Sequence, residues 1–221
     1  MRYLPTDHSD VPIRLFQSDI LETFTHIHPV VVLVLWVPIA LWCLWSSLVT
    51  AGLAAGELAS IFAGGLLVWT LAEYAIHRFV FHFEPKANYP ALERLLFLFH
   101  GIHHVQPQIK SRLVMPPVVS VPLAAFFYAF FVVVVGRWLA RPQWVNALFA
   151  GFIIGYVCYD MIHYATHHLP MRGRLLKALK RQHMQHHFQT PDERYGVSTP
   201  IWDVVFGTWR HDAGRPHSRA K

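Results

Sequence analysis

Long apolar runs alternate along this chain with short polar segments crowded with histidine. Four runs dominate, roughly Pro29–Thr50, Leu58–Phe81, Val118–Trp138 and Trp144–Ala165. Each holds about 20 residues or more, enough for a helix rising 1.5 Å per residue to cross a hydrocarbon core of about 30 Å. Ionisable residues inside them are sparse and fall late: Glu73, His77 and Arg78 in the second run, Arg137 in the third, Asp160 and His163 in the fourth. Pro116 and Pro117 mark a stop before the third run, and Arg141-Pro142 separates it from the fourth. Ahead of the first run, Ile13, Phe16, Ile20 and Phe24 recur at helical spacing. That spacing predicts an amphipathic helix, lying in the interface or packed as a terminal helix. The pattern predicts one membrane-embedded domain over 1–221. It comprises an N-terminal interfacial segment (1–28), four spans with a middle loop at 82–117 (29–165), and a polar tail (166–221).

Composition agrees. Charged residues make up 14% and hydrophobic residues 54% of the chain, whereas a soluble domain is about 25% charged. Cys43 and Cys158 sit inside apolar runs without a C-x-x-C pair, so both read as small packing residues. The net charge of +6 comes from residues flanking the apolar runs, which points to an anionic leaflet rather than to nucleic acid. Asp7, Asp10 and Asp19 precede a first run too long for a signal h-region, so no cleavable leader is expected. Ten Lys and Arg follow the fourth run, four lie between the second and third, and Arg2 and Arg14 precede the first. The connection between runs one and two has none, and that between three and four has Arg137 and Arg141. By the positive-inside rule both termini and the middle loop are cytosolic.

Histidine is the anomaly. Of sixteen, eleven fall in four clusters. His77 and His82 form H-x4-H at the end of the second run, and His100, His103 and His104 form H-x2-H-H in the middle loop. His163, His167 and His168 form H-x3-H-H at the end of the fourth run, and His183, His186 and His187 repeat H-x2-H-H in the tail. His8, His26, His28, His211 and His217 lie outside the clusters. The Lys and Arg pattern places all four clusters on the cytosolic side. Helical residues at i, i+3 and i+4 share a face, so H-x2-H-H can present three imidazoles together and H-x3-H two. His77 and His82 are about 140° apart on an α-helix, so either they serve different metals or the helix frays between them.

Ten imidazoles result, with His168 left over. That is too many for one ion and suits two. The clusters contain no carboxylate placed to bridge, which allows a separation above the roughly 3.5–4 Å of bridged two-metal sites. Imidazole suits iron, zinc, copper and nickel alike. Neutral ligands leave a cation's charge uncompensated, which suits dioxygen activation by iron and equally hydrolysis by zinc. Glu73 and Asp160 lie one turn before His77 and His163, placed to orient metal-bound histidines or to bond between helices. Tyr164 and Tyr195 are candidates to line the site or to pack as aromatics.

These motifs resemble the fatty acid hydroxylase and sterol desaturase superfamily of membrane di-iron enzymes, and most closely its fatty acid 2-hydroxylases. The resemblance runs from about Glu73 to Trp209. It rests on His77–Phe83 (HRFVFHF), Phe99–His104 (FHGIHH), Tyr159-Asp160 through His163-Tyr164, Gln182 through Phe188, and Trp202-Asp203 through Thr208. It implies an all-α fold: four transmembrane helices with a cytosolic helical cap holding a histidine-rich dimetal site. It implies His77, His82, His100, His103, His104, His163, His167, His183, His186 and His187 as ligands of two iron ions, which zinc can replace in purified protein. His163 is the weakest of the set, because related desaturases can carry another residue there, and His168 supports the ligands from outside. The activity implied is insertion of oxygen from dioxygen into a membrane lipid's acyl chain, at C2. Eukaryotic 2-hydroxylases often carry a fused haem domain, but His28-Pro29 is not followed by the glycines of its haem motif, and no G-x-G-x-x-G fingerprint occurs. Electrons are therefore expected from a separate donor protein.

Other superfamily chemistries stay open: carotenoid or sterol hydroxylation, desaturation, and head-group hydroxylation. A zinc hydrolase would want an H-E-x-x-H motif, which is lacking. A metal transporter would want ligands near the midplane rather than at one face. The expected membrane is the inner membrane in a bacterium or the endoplasmic reticulum in a eukaryote. Single cysteines, introduced near Glu57 and within His100–His104, test the topology. An impermeant reagent added from outside is expected to label the first and spare the second; the opposite pattern overturns the cytosolic assignment.

Overall fold

The structure is a computed structural model that describes residues 6–85 and 89–209. Of the residues read above, Arg2, Lys86, Arg210, Arg215, Arg219, Lys221, His211 and His217 lie outside the described residues. Among those described, every regular element is helical. A short α1 (Asp19–Thr23) precedes α2 (Pro29–Trp45) and α3 (Ala55–Ile76). The middle segment holds α4 (Pro90–Leu96) and α5 (Ile102–Val105). Then come α6 (Pro117–Phe131), α7 (Val145–His168), α8 (Arg174–Phe188) and α9 (Ile201–Val205). With their π and 3-10 extensions, four stretches are long and apolar enough to span a membrane: Pro29–Thr50, Ala55–Phe81, Lys110–Trp138 and Pro142–His168.

The bundle is built around α7. Its most apolar stretch is 67% buried, against 11% to 28% for the other three, so they surround it and face lipid. Lipid tails supply no hydrophobic drive between spans, so close packing must hold them. Small residues allow it where α3 crosses α7. A Cβ on Gly65 would lie 2.1 Å from the Leu148 carbonyl oxygen, and one on Gly151 would lie 2.0 Å from that of Phe62. Gly155 receives the Trp69 side chain, whose ring meets Phe152 at 5.1 Å and Tyr156 at 5.3 Å edge-on. Trp36 of α2 reaches the same Tyr156 at 6.0 Å, and Phe131 of α6 meets Phe152 at 5.3 Å. Cys43 is buried in this core, Cys158 faces outward, and both are free thiols.

The amphipathic helix expected from Ile13 to Phe24 is not formed as such: α1 spans five residues, and Ile13 and Phe16 precede it in irregular chain. Side chains capture the backbone that a helix would need. Glu22 accepts from Leu15 N at 2.9 Å and Phe16 N at 2.8 Å, and Gln106 accepts from Ile13 N at 2.8 Å. Arg112 pairs with Glu22 and donates to the Ile13 carbonyl. The N-terminal segment is thereby strapped across the middle segment.

The tail folds back on the bundle. Gly173, at φ 81°, caps α8 after a short reversal from α7. Trp202 of α9 donates to Thr70 Oγ1 of α3 at 3.0 Å. Gly207, at φ 70°, turns the chain so that the Thr208 carbonyl accepts from Arg194 N at 3.1 Å. The glycine crossing yields a stability test. Gly65→Ala places its Cβ against backbone and is expected to lower the unfolding midpoint of the detergent-solubilised protein, at a cost of about 1–3 kcal/mol. Gly64→Ala, whose Cβ would meet only Leu148 Cδ1 at 3.8 Å, is expected to leave the midpoint unchanged.

Candidate metal centre

The four clusters converge at one end of the bundle and sort into two groups of five. His77, His82, His100, His104 and His186 form the first; His103, His163, His167, His183 and His187 form the second. Within each group, the potential ligand nitrogens lie within 4.8 Å of one another. The expectation that an H-x2-H-H cluster presents three imidazoles together is corrected by this sorting. The i, i+4 pair of each such cluster serves one group, and its remaining member crosses to the other. His100 and His104 join the first group while His103 joins the second; His183 and His187 join the second while His186 joins the first. At i+3 a ring lies on the flank of the shared face, close enough to reach a neighbouring centre.

His77 and His82 belong to one group, so the alternative that they serve different metals is not what the fold builds. The α-helix gives way there to a π turn over His77–Phe81, and the His82 amide donates to the His77 carbonyl at 3.1 Å. An i→i+5 turn stacks residues that an α-helix would splay apart. A second π turn, Phe97–Gly101, carries His100 into place ahead of α5.

The nitrogens face one another. Nε2–Nε2 distances are 3.0 Å for His77–His100, 2.9 Å for His100–His104, 2.9 Å for His103–His163, 2.9 Å for His103–His187 and 2.8 Å for His167–His183. A neutral imidazole nitrogen offers one proton or one lone pair, so His100 and His103 cannot satisfy two such neighbours each by hydrogen bonding. A cation can. With metal–nitrogen bonds of 2.0–2.1 Å, right-angled ligands stand about 2.9 Å apart, whereas a tetrahedral set stands about 3.4 Å apart. His186 Nε2 and both ring nitrogens of His82 are buried without a hydrogen-bond partner among the described residues, and one nitrogen of each is free to act as a ligand atom. The residues fit two metal ions.

Electrostatics keep the donors available. Burial, then neighbouring imidazoles, holds His100, His103, His183, His187 and His82 well below the ordinary 6.5, and His104 at about 3. His186 is lowered chiefly by burial too. Backbone carbonyls orient two rings of the first group: His77 Nδ1 donates to Tyr195 O at 2.5 Å, and His186 Nδ1 to Glu193 O at 2.7 Å.

For the supporting residues the structure takes the second of the two alternatives in each case, bonding between elements for the carboxylates and aromatic packing for the tyrosines. Glu73 does not reach a histidine; its buried carboxylate accepts from Val197 N at 2.6 Å, Ser198 N at 2.9 Å and the Ser198 hydroxyl. Asp160 accepts from Met115 N at 3.3 Å, while His163 Nδ1 has no hydrogen-bond partner among the described residues. Both carboxylates serve as anchors between elements because loop amides lie nearer to them than any imidazole does. His168 joins neither group and packs against Tyr164 at 4.9 Å. Tyr195 packs on His77, His82 and His186 at 5.4 to 5.7 Å. Neither tyrosine lines the cavity at the site; Tyr159 and Asp160 do.

That cavity, of about 690 Å³, went unforeseen because its wall is ordinary apolar sequence. It is lined by Leu15, Phe16 and Phe24 of the N-terminal strap, Leu98 and Phe99 after α4, and Val119, Leu123 and Phe126 of α6. His100, His103 and His163 also form part of its wall. Asp203 was missed as well, although it stands in the Trp202–Thr208 motif. It is fully buried and accepts from Tyr195 N and Gly196 N, each at 2.8 Å.

Fold and site together define a helical membrane protein with a buried polyhistidine centre suited to metal. Comparison with known proteins narrows this. The family profile described as fatty acid hydroxylase matches residues 62–208. The chain is similar to a fatty acid 2-hydroxylase of Rattus norvegicus, 40% identical over 89% of this chain and 56% of that protein. It is similar to a dihydroceramide fatty acyl 2-hydroxylase of Arabidopsis thaliana, 37% identical over 88% of this chain and 79% of that one. A solved structure described as full-length Scs7p with only its hydroxylase domain visible superposes with a TM-score of 0.81. It shares 36% identity over 88% of this chain and 72% of that one. The chain belongs to the fatty acid hydroxylase family. It spans little more than half the length of the rat relative.

The depressed histidines set a pH dependence. Below about pH 6.5 the unfolded chain takes up protons that the buried rings refuse, so the stability of the metal-free protein rises with pH. It is fully present above about 6.5 and is lost as pH falls toward the folded-state values, about 3 for His104. Thermal unfolding of chelator-stripped protein is expected to show a lower midpoint at about pH 5 than at about pH 7.5; equal midpoints would mean the rings are not buried neutral.

Proposed function

We propose that the chain is a dioxygen-dependent di-iron monooxygenase that hydroxylates C2 of a fatty acyl chain in a membrane lipid. The observation that carries this reading is the cavity, with His100, His103 and His163 in an otherwise largely apolar wall. Its size falls within the roughly 300–1,000 Å³ of ligand pockets. From Pro116 to Phe126 the α6 wall runs about 15 Å, and each methylene buried there contributes about 0.8 kcal/mol. The similarity to the rat fatty acid 2-hydroxylase and the plant dihydroceramide fatty acyl 2-hydroxylase supports the same carbon.

In this reading His77, His82, His100, His104 and His186 hold one ion, and His103, His163, His167, His183 and His187 the other. The ions would supply reductive activation of dioxygen. Five imidazoles per group and separations near 2.9 Å favour a metal that accepts more than four ligands, which suits iron better than tetrahedral zinc. The chain's own residues do the rest: the α6 wall and the strap hold the acyl tail and exclude water, and the histidine end fixes which carbon is presented. Hydroxylation consumes one dioxygen, two electrons and two protons, and releases one water. The electrons come from a separate donor protein that meets the exposed Arg172, Arg174, Lys177 and Arg181 around α8, since complementary fields speed encounter. The inner face of α8 carries histidines of both groups. In the same reading both termini and the metal end are cytosolic, which the Lys and Arg distribution supports.

The test supplies isotopically labelled dioxygen and a reductase system to the reconstituted protein and locates the label by mass spectrometry. One labelled oxygen at C2 is expected, along with loss of product and of bound metal in both His104→Ala and His187→Ala. A double bond, a hydroxylated ring or a modified head group defeats the substrate assignment. Full activity in either variant defeats the ligand assignment.

A further inference from the structure

Resting on the two-metal reading above, we propose that Asp203 is a positioning residue for the first histidine group, acting on His77 through the peptide between Tyr195 and Gly196. That peptide is bonded at both ends. Its N–H, on Gly196, donates to Asp203 Oδ2 at 2.8 Å, and its carbonyl, on Tyr195, accepts from His77 Nδ1 at 2.5 Å. The other Asp203 oxygen accepts from Tyr195 N at 2.8 Å and from Thr208 Oγ1 at 2.7 Å. Glu73 takes the next two amides, Val197 and Ser198. Two buried carboxylates from distant parts of the chain thus capture four consecutive backbone donors. Gln182 Nε2 donates to Gly196 O at 2.8 Å from the other side. Gly196 has no room for a side chain, since a Cβ there would lie 2.0 Å from Thr199 O and 2.9 Å from Asp203 Oδ2.

Chemistry gives the clamp a role beyond holding a loop. Negative charge at the N–H end of a peptide raises electron density on its carbonyl, and hydrogen bonds in such a chain reinforce one another. The Tyr195 carbonyl becomes a stronger acceptor, fixing the His77 tautomer with Nε2 free and making that nitrogen a better donor. Metal-bound histidines commonly meet a carboxylate or carbonyl directly; here a peptide relays the carboxylate. The route leads to the first group. Three members of the second, His163, His183 and His187, have no partner on Nδ1 among the described residues.

The proposal predicts that loss of the Asp203 charge weakens one site selectively. The full chain in detergent is stripped of metal and titrated with Co²⁺ against a chelator, with visible absorption reporting each site. Wild-type protein that takes up no cobalt defeats the metal reading and this proposal together. With two equivalents bound by wild type, Asp203→Asn is expected to weaken one by about 10- to 100-fold and leave the affinity and spectrum of the other unchanged. Thr208→Val removes one donor to the carboxylate but keeps its charge; it is expected to weaken the same equivalent by less, and it serves if the Asn variant does not fold. Equal weakening of both equivalents, or of neither, in the variant that folds makes Asp203 a structural anchor alone and overturns the proposal.

Discussion

Bringing ten imidazoles together away from water is the constraint that shapes this molecule. A buried nitrogen left unpaired costs about 1–3 kcal/mol, and here nitrogens stand 2.8 to 3.0 Å from one another rather than from ordinary partners. The irregular parts of the fold become intelligible as ways of meeting that constraint. A regular α-helix through His82 would carry its ring away from His77, so a π turn replaces it. The H-x2-H-H clusters divide their rings between two groups instead of crowding three into one. The loop after α8 turns its carbonyls toward His77 and His186 while its amides go to Glu73 and Asp203.

Much of this was legible in the sequence, and the boundary of legibility has a physical reason. The four spans follow from apolar length, and the ten histidines stand out by spacing alone. Their division between groups does not, because residue spacing fixes which rings share a helix face and says nothing of what stands opposite. H-x4-H was ambiguous for the same reason: only the fold shows that the turn between His77 and His82 is a π turn. The one-turn offset of Glu73 and Asp160 leaves open whether they meet histidines or bond between elements, because a carboxylate on a helix can turn to any element packed beside it. Glu73 found the amides of Val197 and Ser198. The apolar rhythm of Ile13, Phe16, Ile20 and Phe24 suggested a helix, but side-chain bonds from Glu22, Gln106 and Arg112 override local rhythm. The cavity left no sequence signature, since Val119, Leu123 and Phe126 look like any lipid-facing positions.

The two groups are supported unequally. His77 and His186, whose rings are tied to carbonyls, do not line the cavity; His100, His103 and His163 do. His163, at the cavity wall, lacks any partner on Nδ1 among the described residues. The loop between α8 and α9 therefore braces two rings of the first group on the side away from the apolar space.

For the proposed reaction, the form of the cavity bears on which carbon is reached. Its α6 wall runs from Pro116 toward Phe126, into the span, while its histidines stand at the end where α3 and α7 finish. A lipid whose head group stayed at the interface would lay its tail along α6 and bring its first carbons to the histidines. A mid-chain carbon would arrive only if the head group were drawn past them. The strap argues against that passage. Among the described residues of the cavity wall, Arg112 is engaged by Glu22 and the Ile13 carbonyl and Asp160 by the Met115 amide, so neither charge is left uncommitted to draw a polar head inward. The pair of Arg112 and Glu22 instead fastens Leu15, Phe16 and Phe24 over the apolar space, and in the proposed reaction the depth to which an acyl chain entered would be set by its length beyond the reacting carbon.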